Sequence, residues 1–168
     1  SRGDVSPCLS PLAWSWPGVR FEVLNPSPGL PYLGNDSSCV ISVQAGVHRV
    51  LLAGDISRNI ENRLVLDNVS RHSVLLVPHH GSKSSSTNSF IRQVDPVLAI
   101  ATAGLGNRFG FPREQTRNRF EFRGSQFLST GDCGAIRLKL QPGGSIDASS
   151  ARRERNRIWR WPAAQNCP

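Results

Sequence analysis

Methionine is missing from all 168 residues, so Ser1 follows either a removed initiator or a cut. The first eight residues hold no apolar segment of the kind a secretory signal needs. Their irregular Pro/Ser composition predicts a fragment of a longer protein. No apolar run approaches the roughly 20 residues that carry a helix across a bilayer. Residues 97–103 form one of the longest such stretches, and that is the length of a buried strand. Histidine is scarce, with four in all and none before His48. Cys8, Cys39, Cys133 and Cys167 include no C-x-x-C pair, which excludes a zinc ribbon or a thioredoxin motif. Their even number permits disulfides in three connectivities that sequence cannot rank, and buried free thiols are the favoured reading. Acidic residues are also few. Twelve face 20 basic ones, for a net charge of +8, which points to a polyanionic ligand or surface. At 38% hydrophobic and 19% charged, the chain is neither a disordered polyelectrolyte nor a protein with a large core.

What is present reads as alternating strands and helices. Residues 19–24 alternate apolar and polar, as a half-buried strand does. Residues 39–43 and 48–53 predict a hairpin across Gln44-Ala45-Gly46. Ser57 is a candidate N-cap, and Ile56, Ile60 and Leu64 recur at i+4, predicting a helix to about Asn68. Residues 73–77 and 97–102 are short apolar runs with the look of buried strands, with a short helix at 89–94 between them. A basic helix over 113–123, stopped by Gly124, and strands at 126–129 and 135–140 follow. The architecture expected is layered α/β, with one domain over residues 1–141 and a basic Arg/Trp-rich tail over 142–168.

Two strand ends carry the residue types that chemistry needs. Leu51-Leu52-Ala53-Gly54-Asp55 places a carboxylate where its two oxygens can bridge divalent ions, unless Gly-Asp is simply a turn. Val77-Pro78-His79-His80-Gly81-Ser82 follows another buried strand. In extended chain successive side chains point to opposite faces, so one histidine would bind metal while the other orients it, acts as an acid or touches substrate. Gly81, Ser82 and Lys83 offer backbone N–H groups, a hydroxyl and an ammonium suited to a phosphate oxygen. The alternative is a surface loop with two solvated histidines.

An ordered set of motifs is more specific than any of them alone. It runs Trp14-x-Trp16-x-Gly18-Val19-x-Phe21, then Asn35-Asp36-x-Ser38-Cys39-Val40, then Leu51-Leu52-x-Gly54-Asp55-Ile56. Val77-Pro78-His79-His80-Gly81-Ser82-Lys83, Asn107-Arg108-Phe109-Gly110-x-Pro112 and residues 130–136 complete it. Over residues 8–141 this resembles the C-terminal metallo-β-lactamase-like domain of the ComEC family, which forms the inner-membrane channel of bacterial DNA uptake in natural transformation.

The resemblance implies the later half of an αββα sandwich and a metal-dependent nuclease acting on the DNA strand that is not transported. By position, Asp55 is the implied bridging carboxylate and His79 the implied histidine ligand, ahead of His80, for zinc or manganese. Asn107 and Arg108 are implied to edge the site with backbone or phosphate contacts, beside Ser82 and Lys83. Many relatives place a histidine where Phe111 stands, so an acid role there does not carry over. The His-x-His-x-Asp-His motif of the fold's first half is not in the chain. The fragment alone is therefore expected to hold metal weakly or not at all and to be inactive. A non-catalytic DNA-binding or scaffold module, or another hydrolase of the superfamily, is the alternative. The implied setting is an inner-membrane protein with this soluble domain on the outer, periplasmic face, in contact with DNA and the rest of the channel.

The tail has readings of its own. Arg152, Arg153, Arg155, Arg157 and Arg160, against Glu154 alone, supply half of the net charge. With Trp159 and Trp161 they suit a nucleic-acid backbone with stacked bases, or an anionic membrane surface, or solvent. The arginines of 113–123 are expected on a solvated face, His48 and His72 in structural places, and Trp14 and Trp16 in core or lid packing.

Overall fold

Alternating residues and tight turns build the first half of the sheet. In the computed structural model, which describes residues 7–154 and 162–168, four strands follow one another antiparallel. They are β1 (Ala13–Trp16), β2 (Val19–Asn25), β3 (Val40–Ala45) and β4 (His48–Leu52). β1 is a departure from the expected irregular start. Pro17-Gly18, with glycine at φ 79°, makes a two-residue turn that pairs Trp14 with Phe21. The tryptophans are not in the core. Trp14 stacks on Phe21 at 4.9 Å, and Trp16 meets the same ring edge-on at 4.7 Å, both on the exposed edge strand.

After β4 the runs become continuously apolar, as strands covered on both faces require. β5 (Val74–Leu76), β6 (Leu98–Ala101) and β7 (Gln126–Ser129) add in parallel to give one seven-stranded sheet in chain order. The crossovers are α1 (Arg58–Leu66), α2 (Asn88–Val94) and α3 (Glu114–Glu121). Ser57 caps α1 by accepting from the Asn59 N–H.

Period two sorts the strand residues onto two cores. Leu51, Leu75, Ala99, Ala101 and Phe127 face the helices, where Ile60, Leu64, Phe90, Ile91, Val94 and Phe120 meet them. Val74, Leu98, Ile100 and Leu128 face the other way, onto a second sheet. That sheet is the hairpin of β8 (Ile136–Leu140) and β9 (Ile146–Ser150), flanked by the short helices α4 (Thr130–Cys133) and α5 (Ala151–Glu154). Helix layer, sheet and sheet are stacked layers of the expected αββα plan.

The C-terminal region differs from the expected tail. The anticipated division after residue 141 falls in the β8–β9 turn, and β9 pairs along all of β8. Residues 162–168 return to the body, with Cys167 buried in the second core and Ser150 Oγ donating to the Pro168 carbonyl at 2.6 Å. The cysteines are paired, not free thiols: Cys8 with Cys39 and Cys133 with Cys167, at Cα separations of 6.0 and 5.4 Å. Both lie within disulfide range. Sequence separations of 31 and 34 residues give no local signal for either pairing. Arg155, Arg157, Trp159, Arg160 and Trp161 lie outside the described residues.

Candidate functional site

Parallel strands β4, β5 and β6 end on one edge of the sheet, where α/β folds gather their ligands. β4 runs out into Gly54-Asp55. A Cβ on Gly54 would stand 2.7 Å from the Ser38 Cβ, so glycine is what lets the turn Gly34–Ser37 close over the strand end. Ser38 Oγ accepts from the Asp55 N–H at 3.1 Å and donates to the Asn35 carbonyl at 2.6 Å. Asp36 accepts from both the backbone and the hydroxyl of Ser57. Asp55 is thereby held from both flanks.

β5 runs out into the turn Pro78–Gly81, which holds two adjacent left-handed histidines. His79, His80 and Gly81 all have left-handed φ, at 49°, 56° and 82°. For a residue with a Cβ this conformation costs about 1–2 kcal/mol, and strain of that kind concentrates at functional sites. A Cβ on Gly81 would lie 2.6 Å from that of Pro112, so the third position has room only for glycine. The left-handed turn also corrects the expectation of opposed histidines, which assumed extended chain. The two rings are 6.4 Å apart and share one crevice with Phe111, which lies 6.1 Å from His79 and 6.5 Å from His80.

Inside the crevice the imidazole against Asp55 is His80, at 3.5 Å from Nε2 to Oδ1, with both side chains somewhat under half exposed. His80 Nδ1 donates to the Thr102 carbonyl at 2.6 Å. A carbonyl only accepts, so this bond fixes the hydrogen on Nδ1 and turns Nε2 to the carboxylate. His79 Nε2 instead lies 3.4 Å from Asn35 Nδ2. The sequence order, with His79 ahead of His80 as partner of Asp55, is thus reversed in the contacts. Asn35 and Thr102 escaped sequence reading as site residues, although Asn35 opens one of the quoted motifs.

The expected substrate contacts divide into two kinds. Lys83 and Arg108 are exposed. Ser82 is buried, its hydroxyl 3.0 Å from Ser84 Oγ and its carbonyl accepting from Thr116 Oγ1. Asn107 braces its own loop, donating to the Gly104 and Phe111 carbonyls and accepting from the Phe111 N–H. Both side chains are engaged in these local hydrogen bonds.

Behind the crevice sits a carboxylate that sequence gave no reason to single out. Glu61 on α1 is fully buried and accepts from the Ser86 and Thr87 N–H groups, the latter at 2.8 Å. Burial pushes its carboxyl above the usual range, against the opposing pull of those two bonds and the Arg119 charge. Arg119 in turn donates to the Ser85 and Ser86 carbonyls, and Arg117 meets Asp132 at 3.0 Å. The arginines of α3 are therefore not a simply solvated face. His48 and His72 are buried and structural: His48 bonds the Gln141 carbonyl, and His72 bridges Ser42 and Ser70.

A catalytic zinc site takes three protein ligands. Among the described residues no three His, Cys, Asp or Glu side chains gather as a metal site. Asp55 and His80 meet here without a third such side chain among the described residues.

Residues 3–103 match the metallo-beta-lactamase superfamily. The chain is 37% identical over 133 residues to Competence protein ComA of Neisseria gonorrhoeae, covering 78% of this chain and 19% of that protein. It is 33% identical over 144 residues to Uncharacterized protein YcaI of Escherichia coli (strain K12), covering 82% and 19%. ComE operon protein 3 of Bacillus subtilis is 32% identical over 125 residues, covering 73% and 16%. The chain spans under a fifth of the length of these relatives.

Proposed function

The chain belongs to the metallo-beta-lactamase superfamily, and from that membership we propose that it is the C-terminal part of a ComEC-like DNA-uptake protein, carrying one half of a phosphodiester-hydrolysing site. The observation that carries this is the strained, left-handed turn that brings His80 to Asp55 at the strand edge. In this reading His80 holds or takes a proton at Nε2, oriented by Thr102 and by the Asp55 carboxylate. Lys83 and Arg108 supply charge for phosphate oxygens. The remaining ligands come from residues outside these 168, and a divalent ion, zinc or manganese, belongs to that completed site.

Two disulfides support an oxidising compartment, hence the periplasmic face of a bacterial inner membrane. Among the described residues no helix is long and apolar enough to cross a membrane, so attachment would rest with the remainder of the channel.

The test compares this chain with a longer one that includes the upstream region. The 168-residue chain should bind manganese or zinc poorly and leave DNA intact. The longer chain should cleave, and His80→Ala should slow it by about 10²–10⁴-fold. Cleavage by the short chain, abolished by Asp55→Ala, would show the half-site reading to be wrong. DNA binding without cleavage by the longer chain would leave a scaffold module. For the tail, replacing its five arginines with alanine should flatten the salt dependence of DNA binding. An unchanged slope would return the tail to solvent, and preferential loss of anionic-vesicle binding would assign it to the membrane.

A further inference from the structure

The loop after β6 carries an aromatic ladder that the hydrolytic reading does not use. Phe109 and Phe111 lie 5.6 Å apart with planes 19° from parallel, and Phe111 continues onto His80 at 22°. Three rings therefore run in near-parallel succession from solvent to the Asp55–His80 pair. Phe109 is 52% exposed and stands at the outer end of this succession. Beside it opens a cleft of about 200 Å³, mostly apolar, bounded by Phe109, Phe111, His80 and Thr102.

Charge surrounds these rings. The Arg108 guanidinium lies 4.8 Å over Phe109 and that of Arg113 lies 5.6 Å over Phe111. Arg113 also shares a second depression with Lys83. The loop is braced without any ligand, because the Asn107 side chain ties Gly104 and Phe111 together by three hydrogen bonds. Flat, preorganised π-faces flanked by exposed cations match a chain that alternates flat rings with anions.

We propose that Phe109 and Phe111 form a stacking subsite for an unpaired base of single-stranded nucleic acid, with Arg108, Arg113 and Lys83 on the adjoining phosphates. On binding, a base takes the place of a guanidinium over the ring, and the guanidinium moves to a phosphate. A duplex, whose bases are already stacked, does not fill this subsite. The proposal deepens the nucleic-acid reading above and rests on it.

The experiment measures binding of the full 168-residue chain to three labelled probes at several salt concentrations. The probes are a 12-nucleotide deoxythymidine strand, an abasic strand of equal length, and a duplex of equal length. The base-bearing strand should bind most tightly. Phe109→Ala should weaken that strand by about 5- to 150-fold, which is the range of one lost base stack. It should leave the abasic strand and the salt slope unchanged, and Phe109→Trp should restore binding. Because Phe109 is half exposed, these changes spare the core. If the base-bearing and abasic strands bind equally, or the preference survives Phe109→Ala, the stacking subsite is refuted while the nucleic-acid reading stands. If the chain binds none of the three probes at low salt, that reading falls and the subsite with it.

Discussion

Replacing Cys133 and Cys167 together with alanine tests the compartment argument and the fold of the C-terminal region at once. The bond closes 34 residues of sequence, spanning β8, β9 and α5. In the chain-entropy account a loop of that length restricts the unfolded chain by an amount worth about 3.8 kcal/mol at 25 °C. Both cysteines are buried in the second core, so the variant also loses the packing of two sulfur atoms. Contacts that hold the chain end independently remain, namely Asn166 Nδ2 to the Phe127 carbonyl and Ser150 Oγ to Pro168. The native fold should therefore persist, with its stability lowered by about 4–5 kcal/mol and its melting temperature by about 8–20 °C. Urea unfolding of oxidised wild type against the double variant gives the free energy. Maleimide labelling in denaturant counts the thiols, and protein from an oxidising compartment should show none. Four reactive thiols per chain, or a loss under about 1 kcal/mol, would refute both the pairing and the placement it supports.

Two further outcomes follow from buried titratable groups. Glu61→Ala leaves the Ser86 and Thr87 N–H groups without their acceptor and should cost about 2–6 kcal/mol, read from urea midpoints; an unchanged midpoint would show that water replaces the carboxylate. Burial holds the His72 imidazole below its usual 6.5, so the fold favours the neutral ring, and its contribution is present above that value and lost as pH falls through the folded one. Wild type should then lose more stability than His72→Gln as pH falls below about 6.5, and parallel losses would assign the acid sensitivity elsewhere.

The sheet was legible because its strands are short apolar runs set off by Gly and Pro. Residues 126–129 and 98–101 come out almost as expected. The elements that escaped owe their form to partners distant in sequence. β9 reads Ile146-Asp147-Ala148-Ser149-Ser150, too polar to announce a strand, and becomes one by pairing with β8. β1 looked irregular because two tryptophans and a Pro-Gly turn hide a four-residue hairpin arm. At the site, residue types and strand ends pointed to Asp55 and the two histidines, but which histidine meets the carboxylate depends on a backbone turn. Side-chain alternation holds only for extended chain, and three left-handed residues break it. Ser82 and Asn107 had suitable chemistry, yet local hydrogen bonds claim both side chains.

The strained turn explains why so much polar structure lies out of sight around it. Two left-handed histidines relax toward ordinary backbone unless the chain on either side is fixed. The segment after them is gripped from behind by Glu61, which takes the N–H groups of Ser86 and Thr87, and by Arg119, which takes the carbonyls of Ser85 and Ser86. Thr116 holds the Ser82 carbonyl, and the Arg113 N–H reaches the carbonyl of Gly81 itself. On the other side the His79 N–H donates to Gly54, joining the turn to the strand end that carries Asp55. A buried carboxylate and a buried-edge guanidinium are costly ways to build a surface loop, since each loses hydration. They make sense if the position of His80 relative to Asp55 must be set before a ligand arrives, because a site held in place loses less on binding than one that must be ordered. The electrostatic cost behind the loop and the backbone strain within it then serve one end: a fixed imidazole beside a carboxylate, at the mouth of a cleft lined with aromatic rings.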